Sequence, residues 1–258
     1  MLLAIDIGNS SIKFGIFDGA TLADKFNIPT NLDYTTEELV FDRFHDIDDT
    51  FIQLKFAAVI VASVVPILND VIAETCFELF KVKAVFVDSS LDLKMKIAYE
   101  PQSAVGADRI VNVFSAIKKY GTPLIVCSFG TATTMDVANE DGDYVGGLIA
   151  PGMGTMAEAL HLKTAKLPAV RIKRPEAVVR NTTEGSIESG VFYGHVAMAE
   201  GLIERIQTEY GSAKRPKVIA TGGFATLIAA ETKLFDIVDE NLTLDGLRII
   251  GQHIGLPQ

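Results

Sequence analysis

The sequence is short of positive charge, of long hydrophobic runs and of cysteine, and each shortage excludes something. Across 258 residues, 23 Lys and Arg face 33 Asp and Glu, for a net charge of −10 and a pI near 4.9. Affinity for nucleic-acid backbones comes from basic patches, and no long Lys or Arg cluster offsets the acidic balance, so no nucleic-acid partner is expected. The longest apolar run, "FAAVIVASVV" from Phe56 to Val65, stops at Pro66. It falls far short of the ~20 residues that a membrane span needs and reads as a buried strand. Cys76 and Cys127 each sit inside an apolar run, where a small hydrophobe is wanted, so core packing is expected rather than a disulfide or a catalytic thiol. The histidines, His45, His161, His195 and His253, are scattered and never stand at metal-ligand spacing with Cys or Glu, which argues against zinc. The opening "MLLAID" has neither a basic region nor a small-residue cleavage site, so no signal peptide is read and a cytoplasmic protein is expected.

What is present is a globular composition, 48% hydrophobic and 22% charged, and a hairpin pattern that occurs twice. "LAIDIGNSSIKFGI" at residues 3–16 and "LIVCSFGTATTMD" at residues 124–136 are both an apolar run, a small hydroxyl-rich loop with a glycine, and a second β-rich run. Aligning Gly8 with Gly130 pairs Asn9 with Thr131 and Ser11 with Thr133, and sets Asp6 opposite Ser128. A repeat about halfway along favours two related halves, divided here as residues 1–115 and 116–258, the second also carrying a dimerisation region.

Strand and helix patterns alternate, which predicts an α/β protein. A Thr-x-x-Glu capping box at Thr35 and Glu38 opens a helix expected to run to about Asp46, with Leu39, Val40 and Phe44 on one face. Further helices are expected over "ILNDVIAETCFELF", over "GADRIVNVFSAIKKYG", which closes on Gly121, over "GTMAEALHL", from Glu188 to Tyr210, and over "LTLDGLRIIGQHI". Gly190, Gly194, Ala197 and Gly201 line one face of the long helix. Glycine inside a helix costs about 1 kcal/mol relative to alanine, so close packing is expected there, within the subunit or, preferably, across a dimer.

Several groups are fit for chemistry. Asp6 ends a buried strand, and Gly8, Asn9, Ser10 and Ser11 follow it at the turn. Such a loop can wrap phosphate oxygens while the acid holds a hydrated divalent cation, with Lys13 adding positive charge. The other reading is an ordinary hairpin in which Gly8 takes a positive φ; the second copy favours the phosphate loop. Gly222 and Gly223 of "ATGG" allow a flat ligand or a phosphate to reach the backbone. Asp108 of "GADR" is either the N-cap of the helix that follows or a carboxylate placed to accept a proton, and Thr182 of "NTT" is either a capping hydroxyl or a ligand contact.

The ordered set "DIGNSSIKFG", "SVVP", "GADR", "FGTATTMD", "GGLIAPG", "KTAKLP", "NTTEGSIESG" and "ATGG" resembles type III pantothenate kinase along nearly the whole chain. The resemblance implies two related domains of the actin-like ATPase, ribonuclease H-like fold, shared by sugar kinases, heat-shock ATPases and actin, with a nucleotide cleft between them. It implies ATP-dependent phosphorylation of pantothenate, the first step towards coenzyme A, by a homodimer with shared active sites that needs Mg2+ and a monovalent cation, K+ or NH4+. By position it makes Asp108 the general base and Tyr99, Gly106, Arg109 and Thr182 substrate contacts, Thr182 from the neighbouring subunit. Gly130 and Thr131 would contact ATP, and Gly222 and Gly223 would border its adenosine. One position departs: where the family pattern has Asp before "FGTATT", at a place linked to the monovalent cation, this chain has Ser128. That departure also leaves open a non-catalytic accessory relative that keeps the fold, as in the Bvg accessory factor group. A kinase or phosphohydrolase acting on another small acid or polyphosphate is less compatible with "GADR" and "NTT".

Overall fold

A computed structural model describes residues 1–40, 51–210 and 214–257. The chain forms two compact units, one of Met1–Lys118 with Asn241–Gln258 and the other of Lys119–Glu240.

The first unit is built on β1 (Leu2–Ile7), β2 (Ser11–Asp18), β3 (Thr21–Pro29), β4 (Ala58–Ser63) and β5 (Ala84–Phe86), in the sheet order β3-β2-β1-β4-β5. β1 is antiparallel to β2 and parallel to β4. All six β1 residues are buried, as a central strand covered on both faces requires, and this is why it reads as an apolar run interrupted only by Asp6. β3 escapes a pattern reading because it is a mostly exposed edge strand, its polar residues facing water. The helices are α1 (Thr36–Glu38), α2 (Asn69–Phe80) and α3 (Ala107–Tyr120). At α1 the Thr35 hydroxyl accepts from the Glu38 amide at 3.1 Å, the cap read from sequence. Residues 41–46 of the helix expected there, Phe44 and His45 among them, lie outside the described residues. Apolar packing on one face of the sheet includes a chain of rings, Phe14 stacked on Phe26 at 4.7 Å and Phe26 edge-on to Phe51 at 5.0 Å.

The second unit repeats the plan with β6 (Leu124–Phe129), β7 (Ala132–Ala138), β8 (Tyr144–Pro151), β9 (Lys217–Thr221) and β10 (Ile237–Val238), ordered β10-β9-β6-β7-β8. β6 is antiparallel to β7 and parallel to β9, as β1 is to β2 and β4, so the duplication read from two hairpins extends to a whole five-stranded sheet. Two mixed sheets of this kind with their helices give the α/β, two-domain actin-like ATPase fold. The second unit's helices are α4 (Met153–Lys163), α5 (Thr183–Tyr210) and α6 (Ala225–Ala229). α5 starts five residues before the expected Glu188 and buries Ile187, Val191, Phe192, Val196, Ala199 and Ile203 against the sheet.

The C-terminal helix α7 (Leu242–His253) belongs to the first unit, not to the half in which sequence order places it. Gly246 is the reason at residue level: a Cβ there would stand 2.7 Å from Val111 Cγ1 and 2.9 Å from Ser115 Cβ, so α7 crosses α3 closely only at a glycine. Cys76 and Cys127 are buried free thiols, and burial pushes the Cys76 thiol up to about 12 and that of Cys127 higher, as inert core residues.

Candidate active site

In the first hairpin the turn is closed by the Gly8 amide donating to Ser11 O at 3.1 Å. The Thr30 hydroxyl donates to Gly8 O at 2.6 Å and the Thr30 amide to Ser10 O at 3.2 Å, tying the loop to the end of β3. Asn9 and Ser10 stand exposed on it. Gly8 does not take the positive φ of the ordinary-hairpin reading. Its smallness matters instead because a Cβ would lie 3.1 Å from Ser11 O. Asp6, 6% exposed, pairs with Lys13 Nζ at 3.0 Å, and the two are register partners across β1 and β2. A buried carboxylate balanced by a half-exposed ammonium suits an exchangeable cation: Mg2+ keeps several waters and needs only one or two carboxylates when phosphates supply the rest. The residues therefore fit the group.

The second hairpin closes one residue tighter, with the Gly130 amide donating to Ala132 O at 3.0 Å. Register places Ile7 opposite Ile12 but Phe129 opposite Thr133, so the pairing of Ser11 with Thr133 slips by one, and the counterpart of Lys13 is Thr134. Both members of the first hairpin's ion pair are thus replaced by hydroxyls. Ser128 is half-buried, with Thr134 on β7 and Thr221 on β9 as its register neighbours, both buried, and such neighbours share a face of the sheet. Two residues further along β7, on that same face, Asp136 is 1% exposed and accepts from the hydroxyls of Thr134 at 3.1 Å and Tyr144 at 2.6 Å.

Two glycine turns are pressed against this loop. A Cβ on Gly222, at φ +92, would fall 2.6 Å from Phe129 O, an oxygen that also accepts from the Phe224 amide at 3.1 Å. Gly223 beside it is exposed and has nothing within 4 Å of a Cβ position. On the other side a Cβ on Gly152 would fall 2.1 Å from Gly130 O. Gly152 donates its amide to Thr131 O at 3.0 Å, and the Thr155 hydroxyl donates to the same oxygen at 2.7 Å. Thr131 itself is exposed. Sequence reasoning missed Gly152 and Asp136, although the last glycine of "GGLIAPG" and the last residue of "FGTATTMD" were in view.

At the start of α3, Gly106 O accepts from the amides of Arg109 at 3.1 Å and Ile110 at 3.2 Å. Gly106 therefore occupies the capping position, and Asp108 is a residue of the first turn, which removes the N-cap reading of Asp108. Asp108 Oδ1 accepts from the Arg109 amide at 2.9 Å, and a Cβ on Gly106 would meet that oxygen at 2.6 Å. The same Cβ position is 3.4 Å from Val64 Cγ1, and the Val64 amide donates to Ile7 O at 3.0 Å. "GADR", "SVVP" and the end of β1 thus meet in one place. Arg109 is 4% exposed and lies over the half-buried Tyr99 ring, 5.5 Å from its centroid, so two expected substrate contacts touch each other.

Thr182 stands at the start of α5. Its exposed hydroxyl accepts from the Gly185 amide at 3.1 Å and its carbonyl from the Ser186 amide at 2.9 Å, which makes it the N-cap of α5. Further along, Gly190, Gly194 and Ala197 are exposed, and no heavy atom among the described residues lies within 4 Å of a Cβ position on Gly190, Gly194 or Gly201. Packing of this stripe within the subunit is therefore ruled out among the described residues.

Comparison with known proteins covers nearly the whole chain. A family model described as Type III pantothenate kinase matches residues 2–205. A Type III pantothenate kinase of a Geobacter species is 43% identical over 256 residues, covering 98% of this chain and 99% of that protein. One from Brevibacillus brevis is 44% identical over 253 residues, covering 97% and 98%. Among solved structures, the ethanolamine utilization protein EutJ from Carboxydothermus hydrogenoformans superposes with a TM-score of 0.54 at 16% identity, over 96% of this chain and 89% of that one, a likeness of fold alone.

Proposed function

This chain belongs to the type III pantothenate kinase family, and we propose that it transfers the γ-phosphoryl group of ATP to the primary hydroxyl of pantothenate, giving 4'-phosphopantothenate, the first step of coenzyme A biosynthesis. One observation carries the reading: the Asp108 carboxylate is seated against Gly106 beside Val64, next to the end of β1 from which the Asp6 loop springs. Asp108 accepts the hydroxyl proton as the oxygen attacks, and most of the rate comes from alignment and charge stabilisation. Arg109, steadied by Tyr99, donates to the carboxylate or hydroxyl groups of pantothenate. Gly106 leaves room for the acid.

The loops of Gly8, Asn9, Ser10 and Ser11 and of Gly130 and Thr131 take phosphate oxygens, Lys13 adds charge, and the exposed Gly223 with Gly222 borders the adenosine. Mg2+ at Asp6 supplies charge neutralisation at the phosphates. A monovalent cation, K+ or NH4+, would sit at Ser128, whose hydroxyl holds it less firmly than a carboxylate. Thr182 reaches the substrate of the neighbouring subunit in a homodimer that joins α5 to α5 along the exposed glycine stripe, and the enzyme works in the cytoplasm. No helix among the described residues is long and apolar enough to cross a membrane. No observation favours an accessory role over catalysis. A coupled assay of ADP release, with and without pantothenate and with K+ or NH4+ added, tests the reading; ADP release that does not depend on pantothenate would sink it.

A further inference from the structure

Behind the second loop lies a histidine that the reaction above does not use. His195 is on α5, 1% exposed, on the face turned towards the sheet. Its Nε2 is 2.8 Å from Thr133 Oγ1, and its ring lies edge-on to Phe129 with centroids 6.0 Å apart. Phe129 and Thr133 are register partners that flank the turn of Gly130, Thr131 and Ala132. The imidazole therefore touches both ends of that turn. Its Nδ1 is buried with no partner among the described residues. A buried N–H without an acceptor is rarer and costlier than a bare ring nitrogen, which places the proton on Nε2, donating to Thr133. Burial also holds the ring's pKa below the usual histidine value, which keeps that neutral form at neutral pH.

We infer that His195 is a positioning residue that acts through Thr133 to hold the Gly130–Thr131 turn in its phosphate-binding shape. At the strand ends on either side of the loop, Gly152 and Gly222 fix the backbone by close contact, together with the amides of Gly152 and Phe224, which donate to Thr131 O and Phe129 O. From the helix side, a polar anchor is the hydrogen bond of His195 to Thr133. A hydroxyl whose acceptor side is engaged by a fixed N–H loses rotational freedom, and the turn between Phe129 and Thr133 loses it too. α5 carries His195 on this inner face and the exposed stripe of Gly190 and Gly194 on the other, so one helix bears both features.

The inference rests on the loop's phosphate role, and the test reads that role directly in the whole protein. Affinities for β,γ-imido-ATP and for adenosine are measured by calorimetry, with Mg2+, for the wild type and for His195→Leu, His195→Gln, Thr133→Val and the double variant His195→Leu with Thr133→Val. The expected result is that His195→Leu narrows the preference for triphosphate over adenosine by about tenfold or more, with adenosine affinity unchanged. His195→Gln, which can still donate, recovers most of it, and the double variant is no worse than the worse single one. An unchanged preference in His195→Leu, or additive losses in the double variant, overturns the inference. A wild type that binds both ligands equally overturns it together with the loop's phosphate role. Tight triphosphate binding without pantothenate-dependent turnover overturns the substrate reading alone.

Discussion

Asp108 is held where it is by what its neighbour lacks. Because a Cβ at Gly106 would stand 2.6 Å from Asp108 Oδ1, the carboxylate is packed into the space a side chain would fill, while its own helix supplies the Arg109 amide as a donor. An amide at 108 keeps shape and loses the proton acceptor. Asp108→Asn is therefore expected to lower kcat by at least the ~10²-fold that a general base supplies, with pantothenate still bound. Steady-state kinetics beside direct binding checks it, and near-native turnover would remove Asp108 from the role. Ser128 poses the opposite question, since the counterparts of Asp6 and Lys13 there are Ser128 and Thr134, both neutral. A preorganised electrostatic element is worth ~3 to 4 kcal/mol, or about 10² to 10³ in rate. The wild type is expected to turn over slowly and respond little to potassium, and Ser128→Asp to raise both. A potassium series on the two proteins decides it: a wild type already at about 1 to 100 s⁻¹, with no gain from Asp, would mean that the hydroxyl row suffices.

At the scale of elements, the Gly130–Thr131 loop is shaped by the strand ends and helix starts around it. A Cβ on Gly152 would need the space of Gly130 O at 2.1 Å and Thr131 O at 2.6 Å, both backbone atoms that no rotamer change can move. Gly152→Ala is expected to cost about 1 to 3 kcal/mol of stability and to weaken nucleotide binding, with pantothenate affinity less affected. Denaturant melts with nucleotide titration test this, and native nucleotide affinity in a fully stable variant would count against the loop. The same contact shows what the sequence could tell. β1, β2, β6 and β7 were legible because alternating or unbroken apolar runs meet turn residues, and the cap at Thr35 because its chemistry is local. That Gly152 and Gly222 lie against one loop depends on chain separated by dozens of residues, and no local pattern records it. β3 was missed because an exposed edge strand carries polar residues, and α7 was assigned to the wrong half because packing on Val111 ignores chain order. The slip between Ser11 and Thr133 followed from a turn one residue shorter, which gapless alignment cannot express.

At the scale of the molecule, α5 presents a face with an unusual cost and no return among the described residues. Glycine in a helix interior costs about 1 kcal/mol relative to alanine, and Gly190, Gly194 and Gly201 have nothing within 4 Å of their Cβ positions among the described residues. A packing partner outside the chain makes that cost intelligible, and a second α5 related by two-fold symmetry is the simplest such partner. Leucine is among the better helix formers and has open space at 194, so Gly194→Leu is expected to leave the protomer folded and as stable as the wild type, or more so by up to about 1 kcal/mol. In a close helix–helix interface the same side chain has no room. Gly194→Leu is therefore expected to yield a well-folded monomer, and if Thr182 completes the neighbouring site, turnover disappears with the dimer. Sedimentation velocity, thermal melts and the ADP-release assay on one preparation separate the outcomes. A variant that stays dimeric and active would take the interface away from this face of α5, and an active wild-type monomer would end the shared-site proposal altogether.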